Sequence, residues 1–285
     1  VVWRFPRPGD LKRGQTFRVP DDAFYSPDGR RIVATQEDDF VVSVIDMARH
    51  RIVYRYGTPG VPGAGPNHLS NPDDALLLPD GNIVVADIKN CRLVVLPPPA
   101  HRVMRQMGTP GACGHAPPRS FSSPNGAFPT RKGGTVVTEI TGNWVDVLSR
   151  KGRLLAAVHP PGFTYPSDTN EVSPGVYLSA NYEAPGALET FDRSGRLLWR
   201  FAPKHEALVK PSLALPLPGG RVLANDDANH RVIVVDPKTN RIVWQYGHTG
   251  RAGRRAGYLN VPDGVDLAPP HSLMRRFSHA RAPRG

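Results

Sequence analysis

The stretch Asn225-Asp-Asp-Ala-Asn-His-Arg-Val-Ile-Val-Val-Asp236 decides the fold of this chain, because weaker copies of it recur at a nearly fixed interval. A short apolar run, Arg221-Val-Leu-Ala224, leads into Asp226. The chain then turns through Asp227-Ala-Asn229-His230, and a second apolar run starts at Arg231. Two β-rich runs around an Asp/Asn turn predict a hairpin. An earlier copy, Ile83-Val-Val-Ala-Asp87-Ile-Lys-Asn90-Cys-Arg92-Leu-Val-Val-Leu96, repeats Asp, Asn and Arg at the same offsets. The trio has a local reason: Asp and Asn hydrogen-bond turn backbone, and Arg pairs with Asp across the hairpin mouth.

The repeat extends on both sides. Upstream, Pro20-Asp21-Asp22 with Pro27-Asp28-Gly29, and Pro72-Asp73-Asp74 with Pro79-Asp80-Gly81, open an apolar segment and end it in a turn. Downstream comes an Arg-led strand, as in Arg51-Ile-Val-Tyr-Arg-Tyr56, Arg102-Val-Met-Arg-Gln-Met107, Arg153-Leu-Leu155, Arg196-Leu-Leu-Trp-Arg-Phe201 and Arg241-Ile-Val-Trp-Gln-Tyr246. Four short strands in a unit of forty to fifty residues is the signature of a propeller blade.

On these motifs the sequence resembles the NHL-repeat β-propellers. Gly57-Thr-Pro-Gly60 to Asn71-Pro72 and Gly247-His-Thr-Gly250 to Asn260 carry the glycine-rich connector, and Asn229-His230-Arg231 carries the eponymous residues. The third unit (Glu139-Ile-Thr-Gly-Asn143-Trp) and the fourth (Asn181-Tyr-Glu-Ala-Pro185) keep the strand rhythm and lose Asn-x-Arg. The resemblance implies an architecture shared by binding platforms and enzymes, not an activity.

Five complete units are expected at 19–57, 71–108, 123–158, 166–201 and 211–247. The N-terminal Val1-Val-Trp-Arg-Phe5 reads as a fourth strand and Val261-Pro-Asp-Gly-Val-Asp-Leu267 as a first strand. The expected fold is therefore an all-β, six-bladed β-propeller. Five complete four-stranded blades are joined by a sixth, closed in whole or in part by N- and C-terminal strands. His271 to Phe277 supplies one of the two missing strands, or residues preceding this stretch do. One domain is expected over residues 1–277, followed by a disordered basic tail over 278–285.

A formal charge of +11, from 36 Lys and Arg against 25 Asp and Glu, raises the question of nucleic acid. The Arg residues recur at the outer strand of each unit, where charge blunts edge pairing, and no aromatic RNA-binding motif accompanies them, which argues against that partner. No window reaches the apolar length of a membrane span, and the N-terminus shows no signal-peptide core.

Topology places the connectors and the turns between second and third strands on one face, the top. Cys91 lies in such a turn and Cys113 in the connector leaving the same unit, so a disulfide is expected, and with it an extracytoplasmic or secreted location. His68, His115, His159, His205 and His248 fall one to each connector. Convergent imidazoles would hold a divalent metal such as Zn²⁺, with His68, His115, His159 and His248 as ligands; the alternative is five solvated loop residues. A second ring lies where first strands begin: Asp21, Asp22, Asp73, Asp74, Asn125, Asp168, Asn170 and Asp263. Oxygen donors of this kind, Asp73 and Asp168 among them, suit Ca²⁺, or else cap strand entries.

No nucleophile motif stands out. Glu139 and Asp87, at the ends of second strands, are candidate catalytic carboxylates, and Trp144, Asn181 and Asp226 are candidate ligand contacts on the top face. Two functions follow. One is an extracytoplasmic propeller binding a small molecule, metal or protein partner on the top face or in the central channel. The other is a metal-dependent hydrolase or lyase acting at the channel mouth.

Overall fold

The computed structural model describes residues 3–270 and Ser272. Among the described residues twenty strands form five separate four-stranded antiparallel sheets, each a simple meander. The first blade comprises β1 (Ala23–Tyr25), β2 (Arg31–Gln36), β3 (Val41–Asp46) and β4 (Arg51–Tyr56). The second comprises β5 (Pro72–Leu77), β6 (Ile83–Asp87), β7 (Arg92–Leu96) and β8 (Arg105–Met107). The third comprises β9 (Pro124–Pro129), β10 (Thr135–Glu139), β11 (Trp144–Leu148) and β12 (Leu154–Val158). The fourth comprises β13 (Pro166–Ser173), β14 (Val176–Asn181), β15 (Ala187–Asp192) and β16 (Leu197–Phe201). The fifth comprises β17 (Ala214–Pro216), β18 (Val222–Asp226), β19 (Arg231–Asp236) and β20 (Arg241–Gly247). First strands pack on one another in succession, β1 on β5, β5 on β9, β9 on β13 and β13 on β17, which makes the molecule a five-bladed β-propeller.

The core lies in layers between neighbouring blades. Val33, Val44 and Tyr56 of the first meet Ile83, Val85 and Leu96 of the second. Ala86 and Leu93 meet Val137 and Leu148, Val145 and Val147 meet Tyr177 and Phe191, and Leu178 and Leu188 meet Ala224 and Ile233. Near-continuous Val, Ile and Leu in the middle strands follow from burial on both faces. The outermost β20 is largely exposed and leaves Trp244 51% accessible, beside Tyr246.

The expected sixth blade does not form. Five sheets are present among the described residues, and neither 3–5 nor 261–267 is a strand. The N-terminal segment instead covers the open face of the first blade: Trp3, Phe5, Leu11 and Phe17 pack on Ala34, Ile45 and Ile52, and Trp3 Nε1 donates to the Met47 carbonyl. Residues 261–266 run as irregular chain between the fifth and first blades. Asn225 Nδ2 donates to the Pro262 carbonyl, and the Tyr25 amide donates to Asp266 Oδ2. Pro262 has no N–H to give a ladder, and Val261 and Gly264 sit at φ 46° and 73°, outside the strand region. With no neighbouring strand to pair with, this segment is tied to its neighbours by bonds that involve side chains, and the Asp263 amide turns back onto the Val261 carbonyl. Residues 271 and 273–285, to which an extra strand and a disordered tail were assigned, lie outside the described residues.

Among the described residues no helix is long and apolar enough to cross a membrane.

Candidate functional site

The first strands share a Pro-led entry, and the two residues after each proline approach one another around the axis: Asn125 Nδ2 reaches Ser167 Oγ, Ser212 Oγ reaches Asp263, and the carboxylates of Asp22 and Asp168 lie against Gly264 and Gly126. The outer ring is Asp21, Asp73, Asn125, Ser167, Ser212 and, from the irregular segment, Asp263; the inner is Asp22, Asp74, Gly126, Asp168, Leu213 and Gly264. Side chains of a strand face the same way every second residue, so the next positions down are Phe24, Leu76, Phe128, Asn170 and Leu215. Four of these belong to one apolar cluster, in which Phe24 and Phe128 meet edge to face at 5.5 Å. The axis is therefore rich in carboxylates at its upper levels and largely apolar beneath, where Asn170 donates to the Ala214 carbonyl.

Two sets of carboxylates, Asp21/Asp22/Asp73 and Asp22/Asp74/Asp168, each bring oxygens within 4.8 Å of one another. Asp74 Oδ2 accepts the Ala127 amide at 3.0 Å, and Asp263 Oδ1 accepts Ser212 Oγ at 3.1 Å. Asp22 Oδ1, Asp74 Oδ1 and both oxygens of Asp227 are buried without a hydrogen-bond partner. Among the described residues none of these aspartates is ion-paired with Lys or Arg. Burial first, and repulsion from neighbouring carboxylates as well, lift Asp21, Asp22, Asp73, Asp74, Asp168 and Asp227. Asp74 is raised to about 7, chiefly by burial, and Asp227 to about 9, by burial and by Asp263. Asp21 is raised to about 7, chiefly by burial, and Asp22, Asp73 and Asp168 are raised well above the usual range. Tyr165 and Tyr182, ring centroids 5.1 Å apart, stand half-buried within the field of these carboxylates, and Lys210 Nζ lies 5.1 Å from the Tyr182 ring centre.

A second cluster lies in the third blade, where the repeat is degraded. In the fifth blade Asp226 Oδ2 accepts Arg231 Nε at 2.7 Å and Asn229 Nδ2 at 2.9 Å, and Oδ1 accepts the Val209 amide. Asp87 repeats this with Arg92, Asn90 and the Ser70 amide. Both carboxylates are thus fully engaged in their own blades. In the third blade the register sets Trp144 opposite Glu139, where Arg92 faces Asp87 and Arg231 faces Asp226. His115 enters from the connector, and its Nδ1 lies 3.0 Å from Glu139 Oε1 and 3.9 Å from Asp146 Oδ2. The Ser122 amide donates to Glu139 Oε2. The Trp144 indole stacks on His115 at 3.9 Å between centroids and only 5° from parallel, and His159 covers its other side at 3.5 Å. Glu139 and Asp146 side chains are wholly buried, and Asp146 is pushed up to about 10 by burial and by Glu139.

The sequence-predicted residues thus divide. Asp73 and Asp168 join carboxylate groups on the axis, and Glu139 and His115 meet beside Asp146. Trp144 is clamped between His115 and His159, and His159 Nδ1 lies 3.0 Å from the Asn143 carbonyl. His68 binds its own connector through Pro66, and His248 stacks on Tyr258. His68, His159 and His248 join no group of three close metal donors among the described residues. Asn181 accepts the Thr164 and Tyr165 amides and donates to the Glu183 and Pro185 carbonyls. Cys91 and Cys113 form a disulfide.

Asp146, Asp227, Tyr165 and Tyr182 were not singled out in the sequence. Asp146 did leave a signal, an acid at the second residue after the Arg position, where the regular blades carry Val94 and Ile233.

No family model matches the sequence, and no curated protein matches it. Solved structures do resemble it. A streptogramin B lyase superposes with a TM-score of 0.60 at 16% identity, over 80% of this chain and 68% of that one. A virginiamycin B lyase from Staphylococcus aureus gives 0.57 at 14%, over 80% and 69%. A protein of unknown function from Bacteroides caccae gives 0.58 at 17%, over 82% of each chain. At such identities the likeness is one of fold.

Proposed function

We propose that this chain is an extracytoplasmic, NHL-type propeller that holds Ca²⁺ in the axial carboxylate ring and offers it to a small oxygen-bearing ligand at the top mouth, beside Tyr165 and Tyr182. The observation that carries this reading is the set of partnerless buried oxygens on Asp22, Asp74 and Asp227, in a ring without Lys or Arg. Such a group must keep protons at neutral pH or take up a cation, and an all-oxygen donor set favours Ca²⁺ over softer metals. The apolar floor leaves the top as the way in. The Cys91–Cys113 disulfide supports a compartment outside the reducing cytosol.

A second reading, a metal-dependent lyase or hydrolase, uses the same ring. Asp21 and Asp74, raised to about 7, would be poised to move a proton near neutrality beside a Lewis-acidic ion. Two of the structures sharing the fold are lyases, which supports this reading by analogy of architecture alone.

Titration of chelator-treated protein with Ca²⁺ tests the proposal. At a hundred times Kd, Ca²⁺ is expected to add about 2.7 kcal/mol of stability, and Asp22→Asn with Asp168→Asn to abolish that gain. An unchanged melting temperature in millimolar Ca²⁺ would overturn it.

A further inference from the structure

The third blade has exchanged an internal cation for a vacancy in charge. In the second and fifth blades the space between the end of the second strand, the third strand and the outer strand is filled by a guanidinium. Arg92 bridges Asp87 and Gln106, and Arg231 bridges Asp226 and Gln245. Register places the third-blade counterparts: Trp144 for the arginine, Ala157 opposite Asp146 where Gln106 faces Val94 and Gln245 faces Ile233. The guanidinium and the amide are both gone, and a second carboxylate, Asp146, has been added. The fourth blade makes the contrast sharper. Glu189 occupies the position of Asp146, but Arg200 stands across from it and pairs with it.

We infer that His115, Glu139 and Asp146 form a divalent transition-metal site, with Zn²⁺ as the matching ion, standing where sister blades carry an arginine. Two buried carboxylates and a neutral imidazole sum to two negative charges, which a divalent cation balances as one guanidinium balances one aspartate. One nitrogen and two oxygens suit zinc, whereas the axial ring is all oxygen. Ligands at about 2.0–2.1 Å in a tetrahedron stand about 3.3 Å apart, and His115 Nδ1 lies 3.0 and 3.9 Å from the two carboxylate oxygens. Both oxygens of Asp146 are buried and accept no hydrogen bond. Glu139 and His115 are the titratable groups beside Asp146, so a proton shared among the three is the competing occupant. The outer supports are in place: the Ser122 amide fixes Glu139 Oε2, and Trp144 holds the imidazole plane from its face. Three protein ligands leave one zinc position for water or a ligand, and His115, 21% exposed, gives the site its opening.

The site is independent of the axial ring, and its test fills that ring first. Tag-free full-length protein is saturated with Ca²⁺ and titrated with Zn²⁺, with bound metal measured after gel filtration and tryptophan emission recorded. One equivalent of Zn²⁺ is expected to remain, with an emission change that Trp144→Phe removes. Asp146→Asn, nearly isosteric and relieved of carboxylate repulsion, is expected to melt no lower than the parent. It should weaken Zn²⁺ by more than the roughly 10–100-fold that an outer partner costs, as should His115→Gln. Trp144→Arg, which returns the guanidinium of the sister blades, is expected to leave no zinc bound. The inference is overturned if the parent retains no Zn²⁺ with the ring filled, which would leave the shared proton in possession. It is equally overturned if a folded Asp146→Asn or His115→Gln protein retains zinc with unchanged affinity.

Discussion

Arg231 is wholly buried, yet its guanidinium reaches Asp226, Gln245, Thr249 and the Glu206 carbonyl at 2.7–3.2 Å. A buried ion pair is costly to assemble but far costlier to halve, because the surviving charge keeps its desolvation and loses its partner. Arg231→Met is therefore expected to lose about 3–5 kcal/mol of unfolding free energy in urea, while Arg231→Met combined with Asp226→Leu should recover most of it. A loss below about 1 kcal/mol in the single variant would mean that solvent reaches Asp226. The same reasoning explains why Asp87 and Asp226, plausible site residues on sequence, are committed to their own turns. The Asp, Asn and Arg offsets were readable as a local hydrogen-bonding unit, and that is what Asp226, Asn229 and Arg231 make.

The turn joining second and third strands is the most regular element. A single 3-10 turn ends in a left-handed residue, Phe40, Cys91 and His230 at φ 55–58° in the first, second and fifth blades. Strands and turns were legible because each is fixed within a dozen residues by Val/Ile runs, Pro-Asp-Gly turns and Asp-x-x-Asn. The disulfide was legible too, since topology alone sets Cys91 and Cys113 on one face of one blade. What sequence spacing could not carry is side-chain direction inside a connector. His115 turns inward onto Glu139 while His68 bonds Pro66 and His248 packs on Tyr258, so imidazoles at matched connector positions take different partners. The sixth blade failed for a related reason. Residues 3–5 and 261–267 resemble strands, but a strand needs a partner ladder, and packing of Trp3 and Phe5 onto the first blade left none. At this scale, replacing Cys91 and Cys113 by Ala should lower stability by about 3 kcal/mol for the 22-residue separation. The β-sheet circular dichroism signal should stay unchanged, since no strand pairing depends on the bridge.

Around the whole ring, the entries to the first strands and the irregular segment after the fifth blade bring together carboxylates more than two hundred residues apart in sequence, Asp21 and Asp263 among them. A fold with an axis concentrates like charge in this way, and no single blade can relieve it. The consequence is a pH dependence with a definite sign. Asp21 and Asp74 at about 7 and Asp227 at about 9 all lie above the ordinary carboxylate value, so the folded chain holds protons that the unfolded chain has released. Groups raised in this way contribute stability that is complete below about pH 4 and is lost as pH climbs through 7 to 9. Chelator-treated protein is accordingly expected to melt at progressively lower temperature from pH 5 to pH 9. Saturating Ca²⁺ should flatten that slope, because a bound cation favours the deprotonated ring that burial opposes. Asp22→Asn with Asp74→Asn should flatten it without calcium, by removing two of the charges outright. A melting temperature of the metal-free parent that rises across this interval would show that the axial carboxylates are solvated, and the ring would then have no reason to take up a cation.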